Sequence, residues 1–193
     1  MTILLSSYAF MAFTAAYLAI RGVFIRRARS QHKIDKGDAR DRALVALVGI
    51  GQIVLPLLFV WTRLLDVADR AQPSACLPAG AIAMAIGLWL FWRSHVDLGE
   101  NWSVTLEIDA QHRLVTRGVY RFVRHPMYTS FFVSGIGQAL LLANWIAGPA
   151  ALAAIAVLVI VRVPNEEAMM IGQFGDEYRD YMRRTGGIVP RFA

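Results

Sequence analysis

Cysteine, lysine and charge are all scarce in this sequence. Of 193 residues one is cysteine, two are lysine, and only 18% are charged. The lone Cys76 excludes an internal disulfide and lacks the spacing of a metal ligand. The four histidines, His32, His95, His112 and His125, have no zinc-ligand spacing with one another or with Cys76, so no metal is expected. A Gly-x-Ser-x-Gly elbow is missing. Gly49-Ile50-Gly51 and Gly135-Ile136-Gly137 open like dinucleotide loops. Val54 and Leu140 stand where the third glycine is required, and both pairs lie inside apolar runs, so they read as helix-packing glycines. No basic residue precedes the first apolar run, and no persuasive cleavage site follows it. The N-terminus therefore reads as a retained membrane helix and not as a signal peptide. The net charge of +6 is spread around apolar runs without forming an extended basic face, which argues against nucleic acid as a partner.

What the sequence has in abundance is apolar length. It is 56% hydrophobic, with a mean hydropathy of +0.46. Soluble domains are roughly 45–50% apolar and about 25% charged. The expected fold is all-α: one polytopic membrane domain over residues 1–193, with five transmembrane helices and a cytoplasmic C-terminal amphipathic helix. Spans of roughly 20 apolar residues are expected at residues 3–25, 43–65, 77–93, 127–142 and 146–163. A polar segment, 94–125, separates the third from the fourth. Ala143-Asn144-Trp145 reads as the tight turn of an antiparallel hairpin between the last two. Trp61, Trp92 and Trp145 fall at span ends, as an aromatic belt would place them.

Five spans sort the bases. Eighteen of the 20 fall on one side and only Arg63 and Arg70 on the other, which puts the N-terminus outside and the C-terminus in the cytoplasm. Arginine outnumbers lysine 18 to 2, usage that suggests a GC-rich bacterium and hence an inner membrane. This topology puts two polar segments on the same, cytoplasmic face. One is residues 114–128, LVTRGVYRFVRHPMY. The other starts at Arg162-Val163-Pro164-Asn165-Glu166-Glu167. Arg117, Arg121 and Arg124 read as positive-inside anchors, the least chemical members of their stretch. Pro164 and Asn165 are expected to end the fifth span, with Asn165 capping a new helix over 165–184. Glu166 and Glu167 would occupy its first turn, and Met170, Phe174 and Tyr178 form its packing stripe.

These strings resemble a known family. HRLVTRGVYRFVRHPMY, the upstream LGENWS at 98–103, and RVPNEE with the FGDEYRDYMRRTG tail are similar to the isoprenylcysteine carboxyl methyltransferase family. The wider group includes membrane phospholipid methyltransferases. The resemblance implies an enzyme that uses S-adenosyl-L-methionine at the cytosolic membrane surface. It implies a cofactor pocket lined by His112, Leu114, Val115, Tyr120, His125, Pro126, Tyr128 and Glu166, with Glu107 added less directly, and it places Arg162 opposite the methyl acceptor. The chemistry agrees. Glu166 suits an amino group or ribose hydroxyls. The His125 ring and the free N–H groups of a helix opened by Pro126 suit a carboxylate. Tyr120 and Tyr128 offer aromatic faces to adenine or sulfonium.

The acceptor is expected to be a lipophilic molecule entering from the bilayer among the membrane lipids. A carboxylate acceptor is ionised at neutral pH and needs only orientation, which Arg162 would give bidentately. An amine acceptor would need a base such as Glu167. Carboxyl methylation of a prenylated cysteine or similar lipophilic acid is the favoured reading. N-methylation of a lipid amine and a membrane NADPH-dependent reductase remain as alternatives.

Overall fold

The computed structural model describes residues 2–30, 39–99 and 113–191, which contain no β-strand. The candidates Glu107 and His112 lie outside the described residues. The elements are α1 (Thr2–Ser30), α2 (Ala39–Gly49), a π-helical turn (Ile50–Val54), α3 (Leu55–Trp61), α4 (Cys76–Leu98), α5 (Pro126–Leu141), α6 (Ala150–Phe174) and α7 (Asp176–Arg184). Short 3₁₀ turns stand at Asp66–Ala68 and Gly118–Arg121.

Among the described residues, three segments are long and apolar enough to cross a membrane: Leu4–Arg27, Ala39–Trp61 and Cys76–Leu98. Their outer faces expose Leu18, Trp61, Ile82, Ile86 and Trp89, side chains that suit lipid and not water. The chain is an integral membrane protein. Helix α5, at 16 residues, is shorter than a full crossing. Helix α6 has the length, 25 residues, but carries Arg162, Glu166 and Glu167 in its second half.

Two helix ends differ from the sequence expectation. Helix α4 does not stop at 93 but runs to Leu98. Its polar last turns are satisfied along the helix: Ser94 Oγ donates to Phe91 O at 2.8 Å, His95 Nδ1 lies 2.7 Å from the same oxygen, and Arg93 pairs with Asp97 at 2.5 Å. More consequentially, α6 passes straight through Pro164 and breaks only at Gly175, whose φ is +55°. Asn165 does not cap a new helix. It sits mid-helix and returns its amide to Val161 O at 3.2 Å, bracing the ladder where proline removes a donor.

The closest packing is between α4 and α5, which run antiparallel. Small residues let the backbones approach: a Cβ on Gly87 would collide with Ser134 Oγ and lie 3.0 Å from Ser130 O. On the far face from the polar segments, residues 62–75 dock onto the α5–α6 connection. That connection is longer than the expected three-residue turn and takes residues 142–149. Asn144 organises it, accepting from Ile146 and Ala147 N–H at 2.9 Å and donating to Leu65 O at 2.7 Å and Asp69 at 2.9 Å. Arg70 caps the C-terminal end of α5 through Ala139 O and Leu142 O, and stacks over Trp145.

The π-helical turn has a traceable cause. Its ladder runs i to i+5, with Leu55 N–H donating to Ile50 O. The next donor would be residue 56, which is proline and has none, so Gly51 O loses its partner. Gln138 on α5 supplies it: Nε2 donates to Gly51 O at 2.9 Å and to Ala147 O at 2.7 Å. Gln138→Leu should therefore strand two buried carbonyls and cost about 1–3 kcal/mol of stability. Denaturation by SDS in bicelles would read this as a lowered midpoint. An unchanged midpoint would mean that another donor serves Gly51.

Candidate functional site

The site forms where the start of α5 meets the second half of α6. Pro126 at the first position of α5 fixes the turn, and His125 stands just outside the helix at φ −121°. Because α6 is continuous across Pro164, Arg162 and Glu166 fall one turn apart on one face, their charged groups 3.4 Å from each other. Glu166 and Glu167 are successive helical residues and so diverge by about 100° around the helix. The His125 ring lies between them, Nδ1 at 3.4 Å from Glu166 and Nε2 at 3.1 Å from Glu167. With an acid carboxylate opposite each ring nitrogen, the ring satisfies both only as an imidazolium.

Around this centre the contacts continue. Tyr128 OH donates to Glu166. Arg124 donates to Glu167 Oε1 from NH2 at 2.7 Å and from Nε at 3.1 Å. Its other amino group donates to Met182 O and Thr185 O. Asp41, from the start of α2, approaches Arg162 Nε at 3.7 Å. Three cations thus interleave with three anions, all partly buried. Hydrogen bonding from His125 holds Glu167 down at about 2, with Arg124 adding to the effect and burial opposing it. Burial works against a charged His125, but bonding and charge from Glu166 and Glu167 outweigh it and raise its pKa.

A pH profile follows from these directions. Glu167, lowered from 4.5, contributes stability that is complete above its unfolded value and is lost as pH falls towards about 2. His125, raised from 6.5, contributes stability that is complete below its unfolded value and is lost as pH climbs through its folded pKa. Both are present between about 4.5 and about 6.5. The thermal unfolding midpoint should be highest in that window, and His125→Asn should flatten the alkaline limb specifically.

The C-terminal segment after α7 straps the site. Arg124 N–H donates to Gly186 O at 2.8 Å, His125 N–H to Gly187 O at 3.0 Å, and Thr129 Oγ1 to Ile188 O at 2.6 Å. Val123 and Gly186 form an isolated parallel bridge. The free N–H groups expected at the start of α5 are thereby reduced. Those of residues 124 and 125 serve the strap, Pro126 has none, and Thr129 N–H returns to His125 O at 3.1 Å, leaving Met127 and Tyr128. On the other side, Asp97 of α4 accepts from Val119 N–H at 2.9 Å and seats the 3₁₀ turn. Gly118 there has φ +62°, and any Cβ would strike Asp97. Tyr120 is buried, its hydroxyl donating to Ser94 O at 3.3 Å and its carbonyl accepting from Tyr181 at 2.5 Å. Burial is the main cause of its raised pKa. Leu114 and Val115 are half-buried just before this turn.

Of the sequence candidates, the structure gathers Arg162, Glu166, Glu167, His125, Pro126 and Tyr128 at one place and sets Tyr120 behind them. Comparison with known proteins matches the isoprenylcysteine carboxyl methyltransferase family to residues 80–172, a segment that contains all six gathered residues. The match takes in just under half of the chain, which is similar to this family over that segment.

Relatives within it include the protein-S-isoprenylcysteine O-methyltransferase of Schizosaccharomyces pombe, 30% identical over 109 residues, 55% of this chain and 46% of that one. The Tribolium castaneum enzyme of the same name is 37% identical over 90 residues, 47% of this chain and 32% of the other. The chain thus spans about half or less of the length of these relatives. Among solved structures, the eukaryotic intramembrane Ras methyltransferase ICMT shares the fold, with a TM-score of 0.56 and 24% identity, covering 94% of this chain and 67% of that one.

Three contributors escaped the sequence reading. Asp41 lies in the first turn of α2, before the family segment begins, and carries no motif. Thr185, Gly186, Gly187 and Ile188 act through backbone oxygens, which side-chain motifs do not report. Arg124, read as a membrane anchor, instead joins α5, α6 and the end of α7; its place directly before His125-Pro126 was the available signal.

Proposed function

We propose that the protein transfers a methyl group from S-adenosyl-L-methionine to the carboxylate of a prenylated cysteine or a similar lipophilic acid at the cytoplasmic membrane surface. This reading takes the five-span arrangement with the N-terminus outside, in which α5 and α6 would lie in the membrane as the last two spans. The observation that carries the reading is the cluster itself: an arginine, Arg162, beside a carboxylate, Glu166, in the second half of α6, facing His125 and Tyr128.

The donor set fits the cofactor. Glu166 offers an anion to an ammonium group, the N–H groups of Met127 and Tyr128 suit a carboxylate, and Leu114, Val115, Pro126 and the Tyr128 ring supply apolar and aromatic walls, with Tyr120 behind. His112 and Glu107 belong to the same proposed lining. S-Adenosyl-L-methionine, when bound, would supply an electrophilic methyl carbon whose bond to sulfur breaks as the acceptor oxygen attacks. Arg162 orients the acceptor carboxylate, whose charge at neutral pH makes a base unnecessary. His125 holds Glu166 in place, while Glu167 anchors His125 and Arg124.

The lipid-amine alternative is disfavoured by Glu167. A carboxyl group held near 2 and engaged by Arg124 and His125 is a poor acceptor for an ammonium proton. Calorimetry on the protein in nanodiscs tests the reading: S-adenosylhomocysteine should bind and NADPH should not. A heat signal with NADPH alone would transfer support to the reductase alternative.

A further inference from the structure

We propose that Asp41 is a positioning residue that holds the Arg162 guanidinium ready for the acceptor carboxylate, so that α2 contributes to acceptor recognition. The inference rests on the methyltransferase reading above and deepens it.

Helix α2 presents Asp41, Leu44 and Val48 along one face. Leu44 is buried in the core cluster formed with Ile155 and Leu158 of α6, and Val48 packs against it. The facing stripe of α6 runs Ile155, Leu158, Arg162, Glu166. The apolar pairs therefore set the register, and one turn beyond them the same register brings Asp41 to Arg162. Asp41 sits in the first turn of α2, where the helix dipole favours its negative charge.

Arg162 is then held from two sides, by Glu166 at 3.4 Å and Asp41 at 3.7 Å. Neither contact is a hydrogen bond to Nε, which is buried and makes none. The guanidinium is fixed by charge while a buried donor stays unsatisfied, an arrangement a bidentate carboxylate would relieve. Without Asp41 the balance is lost. Glu166, one turn away on the same helix, would draw Arg162 into a direct pair and withdraw it from the acceptor.

The test uses the full chain in phosphatidylethanolamine–phosphatidylglycerol nanodiscs, with N-acetyl-S-farnesylcysteine as the acceptor probe. Asp41→Asn should raise the acceptor KM about tenfold, lower kcat by less, and leave S-adenosylhomocysteine affinity within about twofold. Asp41→Glu should recover most of the loss. Adding Asp41→Asn to Arg162→Gln should cost nothing beyond Arg162→Gln alone, because the two act as a unit. An unchanged KM in Asp41→Asn, an additive double variant, or a parallel fall in cofactor affinity and stability would overturn the positioning role while methyl transfer by the unmodified protein still stands. If the unmodified protein neither binds S-adenosylhomocysteine nor methylates the probe, the methyltransferase reading and this inference fall together.

Discussion

Glu166→Ala should lower the affinity for S-adenosylhomocysteine about a hundredfold or more while leaving the protein folded. Glu166 is the point where the two walls of the site meet: Tyr128 OH donates to it, the His125 ring faces its second oxygen at 3.4 Å, and Arg162 lies at 3.4 Å from the first. Charge-assisted bonds of this kind contribute about 1.5–3 kcal/mol each, so losing the one made to a cofactor ammonium, together with the orientation of Tyr128, reaches that factor. Folding should survive, because Arg162 keeps Asp41 and His125 keeps Glu167. Glu166→Gln separates charge from shape. It preserves an acceptor for Tyr128 and should lose about tenfold. Isothermal titration in nanodiscs measures both, and equal affinity in all three proteins would remove Glu166 from the cofactor site.

Arg124→Ala should give the largest loss of stability, about 3 kcal/mol or more. Its guanidinium serves Glu167 and the carbonyls of Met182 and Thr185 at once, with only 12% of the side chain exposed. Truncation leaves Glu167 with His125 alone and two carbonyls without donors in a largely closed space, the costly way to break a buried pair. It also releases α7 and the strap at 185–188 from the start of α5, so residues 185–191 should become cleavable by protease before the helices unfold. Arg124→Lys should restore less than half of the stability, since an ammonium cannot spread its donors over three acceptors as a planar guanidinium does. If Arg124→Ala unfolds with the unmodified midpoint, the strap is held by its backbone bonds alone.

The legible part of this molecule was what depends on local pattern. Apolar length marked the long helices among the described residues, and the family resemblance of the HRLVTRGVYRFVRHPMY and RVPNEE strings singled out His125, Tyr128, Arg162 and Glu166 as candidates. Proline misled in one place and was uninformative in another. At Pro164 the local preference to end a helix was overridden by Arg162, Glu166 and Glu167, whose partners exist only when α6 continues. At Pro56 the missing N–H produced a π-helical turn completed by Gln138, a residue 82 positions later in sequence. Asp41 illustrates the limit most simply. Nothing near it in sequence distinguishes it from an ordinary first-turn acid, and its meaning comes from the packing of Leu44 against Ile155 and Leu158. Backbone acceptors such as Gly186 O and Gly187 O leave no side-chain trace at all.

The most direct measurement is transfer of a labelled methyl group from S-adenosylmethionine to N-acetyl-S-farnesylcysteine by the purified protein in nanodiscs, followed by alkaline hydrolysis of the product. The expected result is label that enters the lipid phase, depends on Arg162 and Glu166, and is released as methanol by base, the signature of a carboxyl ester. Base-stable label on a lipid amine, or no transfer by a protein that is folded and binds S-adenosylhomocysteine, would contradict carboxyl methylation of a prenylated cysteine.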